Sequence, residues 1–508
     1  MGEEFELIAK TLEGLEEVLA QELTELGAND VEIGKRMVAF KGDKRMMYKA
    51  NFGLRTAIRI LKPICHFTAN TADEVYEQVK MVEWERYISP EQTFAVDEVI
   101  FSNEFRHSKF VAYRVKDAIA DYFMEKVGKR PGVRVTGPDL LINIHIAERS
   151  CTLSLDSSGE SLHRRGYRQE TLEAPLNEVL AAGIILMTGW RGECDFIDPM
   201  CGSGTLPIEA ALIARRIAPG VFRKQYAFEK WADFDADLFE EIYNDDSNEQ
   251  EFAHHIYGYD NNPRAIEVAT RNVKAAGLSK IVSLNVRPFQ AFEKPEEQAI
   301  IVTNPPYGER ISSPDLLGLY RMIGEKLKHA FTDNTAWILS YRDECFDQIG
   351  LKPTRKIALK NGALECQLRQ YELFEGKYKQ FREDGERLDK QTTETTAKEE
   401  KHSFNREKRP FGEGKRAFRG ERRTFGEGRG NFGERPGAAA GEKRSYSESK
   451  RSFGESKRTF GEDKRTFKGE KRSFREKNHS SETRKPRSGE SYPERKRREA
   501  REKGDNKQ

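Results

Sequence analysis

After residue 194 the sequence alternates short apolar runs with helical patterns, and few folds accommodate that alternation. Each apolar run has about four or five residues and ends in a turn, as buried strands do. Asn361-Gly362 lies between the last two strand patterns and is a strong hairpin signal. These repeats predict an α/β fold, with a doubly wound and mostly parallel sheet that ends in an antiparallel hairpin.

Two smaller α+β units are predicted before this sheet. The first alternates strand and helix patterns in the manner of a ferredoxin-like unit. The second has two helices between strands that alternate apolar and polar residues, as half-buried strands should. The predicted domains are residues 1–65, residues 66–157 (or from about residue 45), residues 158–380 and a tail at residues 381–508.

The net charge differs sharply between the body of the chain and its tail. Residues 401–508 carry 34 Lys and Arg against 18 Asp and Glu, a net charge of +16, which leaves −14 on residues 1–400. Five heptads from Arg444 onward each carry one aromatic residue, too few for a coiled-coil seam. We expect a disordered tail that contacts RNA through charge and stacking, with a purely solubilising tail as the alternative.

Cysteine usage and hydropathy exclude several classes of protein. The six cysteines are scattered without a CxxC pair, which predicts neither a zinc site nor a disulfide framework and suits a reducing cytoplasm. The N-terminus lacks the apolar core of a signal peptide, and no apolar run approaches the ~20 residues that span a bilayer. We therefore expect a cytoplasmic protein with no metal and no membrane partner.

The run Asn304-Pro305-Pro306-Tyr307 directly follows a buried strand pattern. A proline pair stops the strand, so this loop is predicted at the carboxyl edge of the sheet, where α/β proteins bind ligands. The Asn304 side-chain oxygen and the Pro305 carbonyl can accept both hydrogens of one planar amino group, and Tyr307 can stack on its ring. That grip would localise the nitrogen lone pair and aim it at an electrophile. An ordinary proline-rich turn is the alternative.

A glycine loop, Asp198-Pro199-Met200-Cys201-Gly202-Ser203-Gly204-Thr205, joins the first strand of the sheet to its helix. The glycines let the backbone approach a ligand at a helix N-terminus. GxGxxG and GK[ST] are both absent, and an acid ahead of the glycines suits a cationic ligand better than a pyrophosphate. The second strand ends in Asp260, which can bind ribose hydroxyls. Together these predict S-adenosylmethionine as the cofactor.

Cys201 within this loop is a candidate nucleophile. No His or carboxylate is placed in the sequence to activate it, so a packing or cofactor-lining role is favoured.

Basic residues occur in two places that could contact RNA. One is the start of the predicted helix at 110–127, and the other is the linker at 161–175. Basic groups at a helix N-terminus can hold phosphates, although a solvated helix end is an equal alternative. The predicted RNA-binding residues are Arg106, Lys109, Lys116, Arg164, Arg165 and Arg168.

The motifs DPMCGSGT, GYD and TNPPYGER, in that order, resemble class I S-adenosylmethionine-dependent methyltransferases that act on amino groups. With HRRGYR, APLNEVLAA and FRHSKFVAYRVKDAI, residues 1–380 resemble THUMP-domain RNA methyltransferases, in particular the guanine-N2 half of the bacterial 23S rRNA large-subunit methyltransferase L. The resemblance implies a Rossmann-like methyltransferase sheet, preceded by ferredoxin-like and THUMP-like units that grip RNA. Some members carry a second methyltransferase domain where this chain has its tail, so the second activity is expected to be absent.

The resemblance also assigns the site residues by position. Asn304, Pro305, Pro306 and Tyr307 would hold the guanine. The third strand of family members ends in an acid that reads adenine, and Asn285 stands in the corresponding region here, with Gln290 or a backbone group as alternatives. The cofactor would be bound by Asp198, Pro199, Cys201, Gly202, Gly204, Thr205, Asp260 and Asn285.

Guanine-N2 methylation of RNA, most closely of 23S rRNA, is thus the function that the sequence predicts. One alternative is another amino methyltransferase, acting on adenine N6 or on a protein glutamine. A second is a non-catalytic RNA-binding factor in ribosome assembly, which the intact CGSG and NPPY motifs disfavour. The missing GxGxxG disfavours a nicotinamide oxidoreductase.

Overall fold

The computed structural model describes residues 3–172, 175–293, 298–308 and 313–375. The predicted tail at 381–508, with its heptads, lies outside this range, as do Glu309 and Arg310 of the NPPYGER motif. Within it, the chain forms two sheets with helices packed on them.

The N-terminal part of the chain forms one eight-stranded sheet with four helices. Its strands lie in the order β2-β3-β1-β4-β8-β7-β5-β6. The strands are β1 (Phe5–Lys10), β2 (Asn29–Gly34), β3 (Met37–Gly42), β4 (Arg59–Thr68), β5 (Thr93–Phe101), β6 (Gly132–Val133), β7 (Leu140–Ala147) and β8 (Ser150–Asp156). The helices are α1 (Glu16–Leu26), α2 (Lys44–Gly53), α3 (Ala72–Lys80) and α4 (Ser108–Val127).

Strand β4 joins the two predicted N-terminal units into this single sheet. It pairs antiparallel with β1 through Ile60 and Leu61 and with β8 along most of its length. The predicted boundary between residues 65 and 66 therefore falls inside a strand, and the division into two domains stays a prediction.

The C-terminal part forms a seven-stranded sheet in the order β11-β10-β9-β12-β13-β15-β14. Its strands are β9 (Asp195–Asp198), β10 (Ile256–Asp260), β11 (Val282–Val286), β12 (Ala299–Thr303), β13 (Asn334–Ser340), β14 (Arg355–Asn361) and β15 (Leu364–Leu373). Its helices are α5 (Glu178–Met187), α6 (Thr205–Ala214), α7 (Ala236–Asn244), α8 (Pro263–Ala275), α9 (Ser313–Ala330) and α10 (Asp343–Gln348). The Rossmann-like α/β sheet with a C-terminal hairpin, predicted from the sequence, is confirmed.

The centre of this sheet explains where a site can form. Strands β9 and β12 are buried along their whole length and pair in parallel, as their apolar sequences require. From β9 the chain continues to β10 and β11 on one side, whereas β12 and β13 lie on the other. The carboxyl ends of β9 and β12 thus meet at the point where the strand order reverses, the usual ligand site of open α/β sheets.

Local signals in the sequence account for several element ends. Gly27 ends α1 in the left-handed conformation, and the Asn262 side chain accepts a hydrogen bond from the Arg264 N–H at the start of α8. Gly362, with φ of +62°, makes the turn between β14 and β15, where Asn361 pairs with Leu364.

The acidic insertion at 219–252, which has no clear periodicity in the sequence, contains α7 and two 3₁₀ turns. It packs on α2 of the N-terminal sheet, where the Tyr48 and Phe228 rings stack with centroids 4.4 Å apart. Arg45 of α2 also donates two hydrogen bonds to Glu241 of α7. Leu238, Phe239 and Ile242 of α7 form the apolar face of this helix and pack in the core, so the insertion is joined to the N-terminal sheet through α2.

Candidate active site

The glycine loop lies between the carboxyl end of β9 and the first turn of α6. Gly202 and Gly204 have φ angles of +52° and +83°, in the left-handed region that favours glycine. A Cβ atom at Gly202 would meet nothing within 4 Å, whereas one at Gly204 would lie 3.1 Å from the Cβ of Ala269 on α8. Gly202 therefore leaves room for a ligand beside the backbone, and Gly204 lets α8 pack closely.

Asp260, at the end of β10, holds this loop from the neighbouring strand. Its Oδ2 accepts a hydrogen bond of 3.0 Å from the Gly202 N–H, and its Oδ1 accepts one from the Asn262 N–H. The carboxylate therefore lies at the carboxyl edge of the sheet beside the glycines, where the sequence predicted a ribose ligand.

Asp198 is buried at the base of the loop, with 1% of its surface exposed. Its Oδ1 accepts hydrogen bonds from the Met200 N–H at 3.2 Å and from the Thr303 hydroxyl at 3.0 Å. Burial, together with the nearby Asp260 carboxylate, raises the pKa of Asp198 to about 7, although both hydrogen bonds favour its ionised form. A positively charged ligand would stabilise the ionised form of this buried acid.

These observations fit S-adenosylmethionine. Two carboxyl groups and open space beside Gly202 suit a ligand with a cationic sulfur and a ribose, whereas a pyrophosphate would be repelled. The remaining predicted contacts lie on the same loop: Pro199 and Thr205 are both buried. Their individual contacts with the cofactor stay predictions.

Cys201 is buried in this loop beside the two acids. Burial and the Asp198 and Asp260 charges raise the pKa of the Cys201 thiol well above its usual range. A thiol held in its protonated form is a poor nucleophile, so the structure supports the packing or lining role.

The loop Asn304-Pro305-Pro306-Tyr307, predicted to be catalytic, follows Thr303 at the carboxyl end of β12, next to the glycine loop. Asn304 and Tyr307 are partly exposed, Pro305 is buried and Pro306 is exposed. The Tyr307 hydroxyl donates a short hydrogen bond to Asn304 Oδ1, and burial keeps the pKa of Tyr307 well above its usual range. The Tyr307 ring also meets the edge of Tyr341, with centroids 5.4 Å apart. The predicted catalytic residues therefore share one loop that opens beside the cofactor loop.

Arg106 and Lys109 lie at the N-terminus of α4, and Lys116 is the ninth residue of this helix. Arg106 and Lys109 are exposed, and the Lys116 ammonium lies 5.1 Å from the centroid of the exposed Tyr113 ring. Backbone N–H groups at this helix end would add to their attraction for phosphate. The structure leaves these residues accessible to RNA.

The linker residues have different surroundings. Arg164 is exposed and paired with Glu160. Arg165 is only 2% exposed, donates to the carbonyls of Leu162 and Arg55, and lies 3.5 Å from Glu209. An RNA contact through Arg165 would require this interior to open, so its burial speaks against the predicted role.

Arg168 contacts the glycine loop rather than solvent. Its guanidinium donates to Ser203 Oγ and Thr205 Oγ1, both at 2.9 Å, and to Glu178 at 2.7 Å. Asn272 of α8 supports the same loop, because its side chain donates to the Ser203 carbonyl at 3.1 Å. Arg168 thus holds the glycine loop in this structure, and its RNA role stays a prediction.

Asn285, the predicted adenine contact, is exposed near the end of the edge strand β11 and pairs with Tyr259 of β10. Gln290 is also exposed, and its carbonyl accepts from Lys326. Both side chains are accessible, and the choice between them stays a prediction.

Sequence reasoning missed Thr303, Glu178 and Asn272, which the structure places around the cofactor loop. All three are buried: Thr303 and Glu178 lie in apolar elements, and Asn272 lies on the buried face of the amphipathic helix α8. A buried polar side chain must find a hydrogen-bond partner, and that was the signal available in the sequence.

Across the ranges that the structure describes, no helix is long and apolar enough to cross a membrane. The same ranges contain no group of three or more His, Cys, Asp or Glu side chains arranged to hold a metal ion.

Comparison with protein families divides the chain as follows. Residues 165–370 match the RMKL-like methyltransferase domain. Residues 69–156 match the THUMP domain, and residues 6–61 match the RlmL ferredoxin-like domain.

Similar proteins agree with these matches. A Synechocystis sp. protein named as a candidate RNA methyltransferase is 38% identical over 369 residues, covering 72% of this chain and 96% of that protein. The ribosomal RNA large subunit methyltransferase K/L of Syntrophotalea carbinolica is 38% identical over 392 residues, or 74% of this chain. The match covers 55% of that protein, so the chain spans about half the length of this relative.

A solved structure shares the fold. SMU.472, described as a candidate methyltransferase in complex with SAH, is 31% identical with a TM-score of 0.67, covering 74% of this chain and all of that one. The glycine loop, the acids beside it and these matches lead to one conclusion. The chain belongs to the THUMP-containing, S-adenosylmethionine-dependent RNA methyltransferases of the RlmK/L type.

Proposed function

We propose that this protein transfers a methyl group from S-adenosylmethionine to the exocyclic N2 of a guanine in 23S rRNA. The observation that carries this proposal is the position of Asn304 at the end of β12, directly beside the glycine loop at the end of β9. Support for the rRNA target comes from the large-subunit methyltransferase K/L relative. Support for guanine N2 comes from the resemblance of the TNPPYGER region to guanine-N2 enzymes.

The residues of the loop would act by positioning. Asn304 Oδ1 and the Pro305 carbonyl accept the two hydrogens of the amino group, which turns its lone pair toward the methyl donor. Tyr307 stacks on the base, which must first leave the RNA helix to reach this loop. Asn304 Oδ1 has two lone pairs, so it can accept from both the base and the Tyr307 hydroxyl.

Asp198, Asp260 and the backbone at Gly202 would hold the cofactor, which supplies a methyl group activated by its positively charged sulfur. As the new N–C bond forms, the C–S bond breaks, and the amino group then releases a proton to solvent. No covalent intermediate with the protein is needed, which agrees with the protonated Cys201 thiol. Alignment of nucleophile and donor is the main source of acceleration in this scheme.

RNA would be gripped by the N-terminal sheet and the basic residues that remain accessible. The proposed phosphate contacts are Arg106 and Lys109 at the start of α4, Lys116 further along this helix, and the exposed Arg164.

The target base can be identified by mass spectrometry of nucleosides from 23S rRNA of a strain that lacks the gene. Incubation with the full chain and S-adenosylmethionine should produce N2-methylguanosine. N6-methyladenosine would establish the alternative amino methyltransferase instead. If no nucleoside changes in free rRNA, assembly intermediates or ribosomal particles, the protein acts as a non-catalytic assembly factor.

A further inference from the structure

Thr303 is a polar residue at the end of an otherwise apolar buried strand. The other members of β12 are Ala299, Ile300, Ile301 and Val302, and all five positions are buried. Thr303 has only 2% of its surface exposed. Valine has nearly the same shape and would fit such a position without a polar group, so the hydroxyl calls for a partner.

That partner is Asp198 on the neighbouring strand. The Thr303 hydroxyl donates to Asp198 Oδ1 at 3.0 Å, within a buried environment. The Met200 N–H donates to the same oxygen, so Oδ2 can accept from a ligand. The hydrogen bond thus links the last residue before Asn304 to the acid that begins the cofactor loop.

The hydrogen bond from Thr303 matters for the ionisation of Asp198, because no positively charged group is described as facing this acid. The titratable groups that face it are Asp260 on β10 and Cys201 in the loop, and neither supplies positive charge. Burial and Asp260 raise the pKa of Asp198, whereas the Thr303 and Met200 hydrogen bonds lower it. Donation from Thr303 is therefore one of two protein contacts that favour the carboxylate.

We propose that Thr303 is a positioning residue for methyl transfer, whose hydroxyl holds the Asp198 carboxylate toward the methyl donor. Through its backbone, the same residue sets the start of the Asn304 loop. It thereby couples the cofactor loop to the loop that grips the base. This inference rests on the proposed roles of Asp198 and Asn304.

The test compares three variants of the full chain. Thr303→Val removes the hydroxyl and keeps the shape, Thr303→Ser keeps the hydroxyl, and Ile301→Val trims a buried apolar side chain of the same strand. Calorimetry measures the Kd for S-adenosylmethionine between pH 5.5 and 8.5, and circular dichroism checks that each variant is folded.

Thr303→Val should raise the Kd for S-adenosylmethionine about tenfold at pH 7, since the loss of a hydrogen bond to a charged group typically changes a dissociation constant by about that much. The affinity for S-adenosylmethionine should rise with pH as Asp198 ionises. In Thr303→Val, the midpoint of this rise should lie roughly one pH unit higher than in the wild type, because the lost donor makes Asp198 harder to ionise. Thr303→Ser should bring the Kd back to within about threefold of the wild-type value, and the pH midpoint to within a few tenths of a pH unit. Ile301→Val should leave the pH midpoint unchanged.

A wild-type Kd and pH midpoint in Thr303→Val would overturn the inference, as would an equal shift of the midpoint in Ile301→Val. The proposed function fails by a different result, which is normal methyl transfer by Asn304→Ala. The two failures are distinguishable, because one is measured as cofactor affinity and the other as transfer.

Discussion

Tyr307 contributes two separable groups to the Asn304 loop. Its ring is proposed to stack on the base, and its hydroxyl donates to Asn304 Oδ1 and so orients the amide that is proposed to grip the base. Burial holds the pKa of Tyr307 above its usual range, so the hydroxyl remains a donor at neutral pH.

Replacing Tyr307 separates these contributions. Tyr307→Phe keeps the ring and should lower the single-turnover rate about three- to tenfold, the effect of one lost hydrogen bond. Tyr307→Ala should lower it by a further factor of roughly 10 to 100, because base stacking is lost as well. Equal rates for the two variants would show that the ring does not stack on the base. The Kd for S-adenosylmethionine is the control and should stay unchanged in both.

Asp198 couples function to stability through its pKa. Folding raises the pKa of Asp198 from the ordinary value of 3.8 to about 7. The folded state therefore binds the proton more tightly than the unfolded state, and stability declines as the pH rises from about 4 to 7.

Asp198→Asn removes this titration. In the cofactor-free protein at pH 8, the variant should melt at a higher temperature than the wild type. Its free energy of unfolding should be larger by roughly 1–2 kcal/mol. This difference in melting temperature should shrink at pH 5, where the Asp198 carboxyl of the folded wild type is protonated. The same variant should bind S-adenosylmethionine about tenfold more weakly, since a charge opposite the sulfonium is lost. If the melting temperatures of the two proteins changed with pH in the same way, the claim that Asp198 titrates with a raised pKa in the folded state would be contradicted.

At the scale of elements, the linker between the two sheets contacts the parts of the chain on both sides of it. Leu162 donates its N–H to the Ile58 carbonyl just before β4, whereas Arg168 donates to Ser203 and Thr205 in the glycine loop. One short segment therefore contacts both the N-terminal sheet region, which is proposed to bind RNA, and the glycine loop, which is proposed to bind the cofactor.

Arg168→Ala distinguishes the two roles for this arginine. Loss of its hydrogen bonds to the loop should weaken S-adenosylmethionine binding about tenfold and leave RNA affinity unchanged. Arg164→Ala is the contrasting variant, because the exposed Arg164 side chain pairs with Glu160 and is a proposed phosphate contact. It should weaken RNA binding and leave S-adenosylmethionine binding unchanged. A fall in RNA affinity with a smaller salt dependence in Arg168→Ala would instead restore the RNA role predicted from sequence.

The elements also show what sequence patterns can predict. Strands β9, β10 and β12 and helix α8 were predictable, because apolar runs and helical periodicity report burial directly. Strand β2 was missed because its residues are exposed or only partly buried, which leaves little apolar pattern. Helix α7 was missed although Leu238, Phe239 and Ile242 give it an apolar face, because a helix of nine residues shows too few turns for a firm periodicity. The loops of the site were predictable from glycine and proline, but the Thr303 and Arg168 contacts depend on which strands and loops become neighbours.

At the scale of the whole molecule, one continuous apolar core connects the two sheets. It includes Leu7 and Leu19 of the N-terminal sheet and its helix, and Leu180 and Val302 of the C-terminal part. The aromatic contact between Tyr48 and Phe228 adds to the same connection. The N-terminal sheet and the Asn304 loop are thus joined by one core within the described chain, which would suit the proposed delivery of one base of a large RNA to that loop.

The basic tail can be tested as a separate contribution to RNA binding. Truncation after residue 380 should leave folding and S-adenosylmethionine binding intact, because the proposed site lies within residues 198–307. RNA affinity should become weaker and less dependent on salt, since fewer counterions are released when the basic residues are absent. The measurement is an RNA-binding titration at two or more salt concentrations. An unchanged salt slope would favour the purely solubilising tail.

The central claim is that the Asn304 loop grips the amino group that receives the methyl group. Single-turnover transfer from labelled S-adenosylmethionine to unmethylated 23S rRNA, measured for the wild type and for Asn304→Ala, tests it most directly. The variant should lose on the order of 100- to 1000-fold in rate while its Kd for S-adenosylmethionine stays within about threefold of the wild type. Transfer at the wild-type rate by Asn304→Ala would contradict the claim.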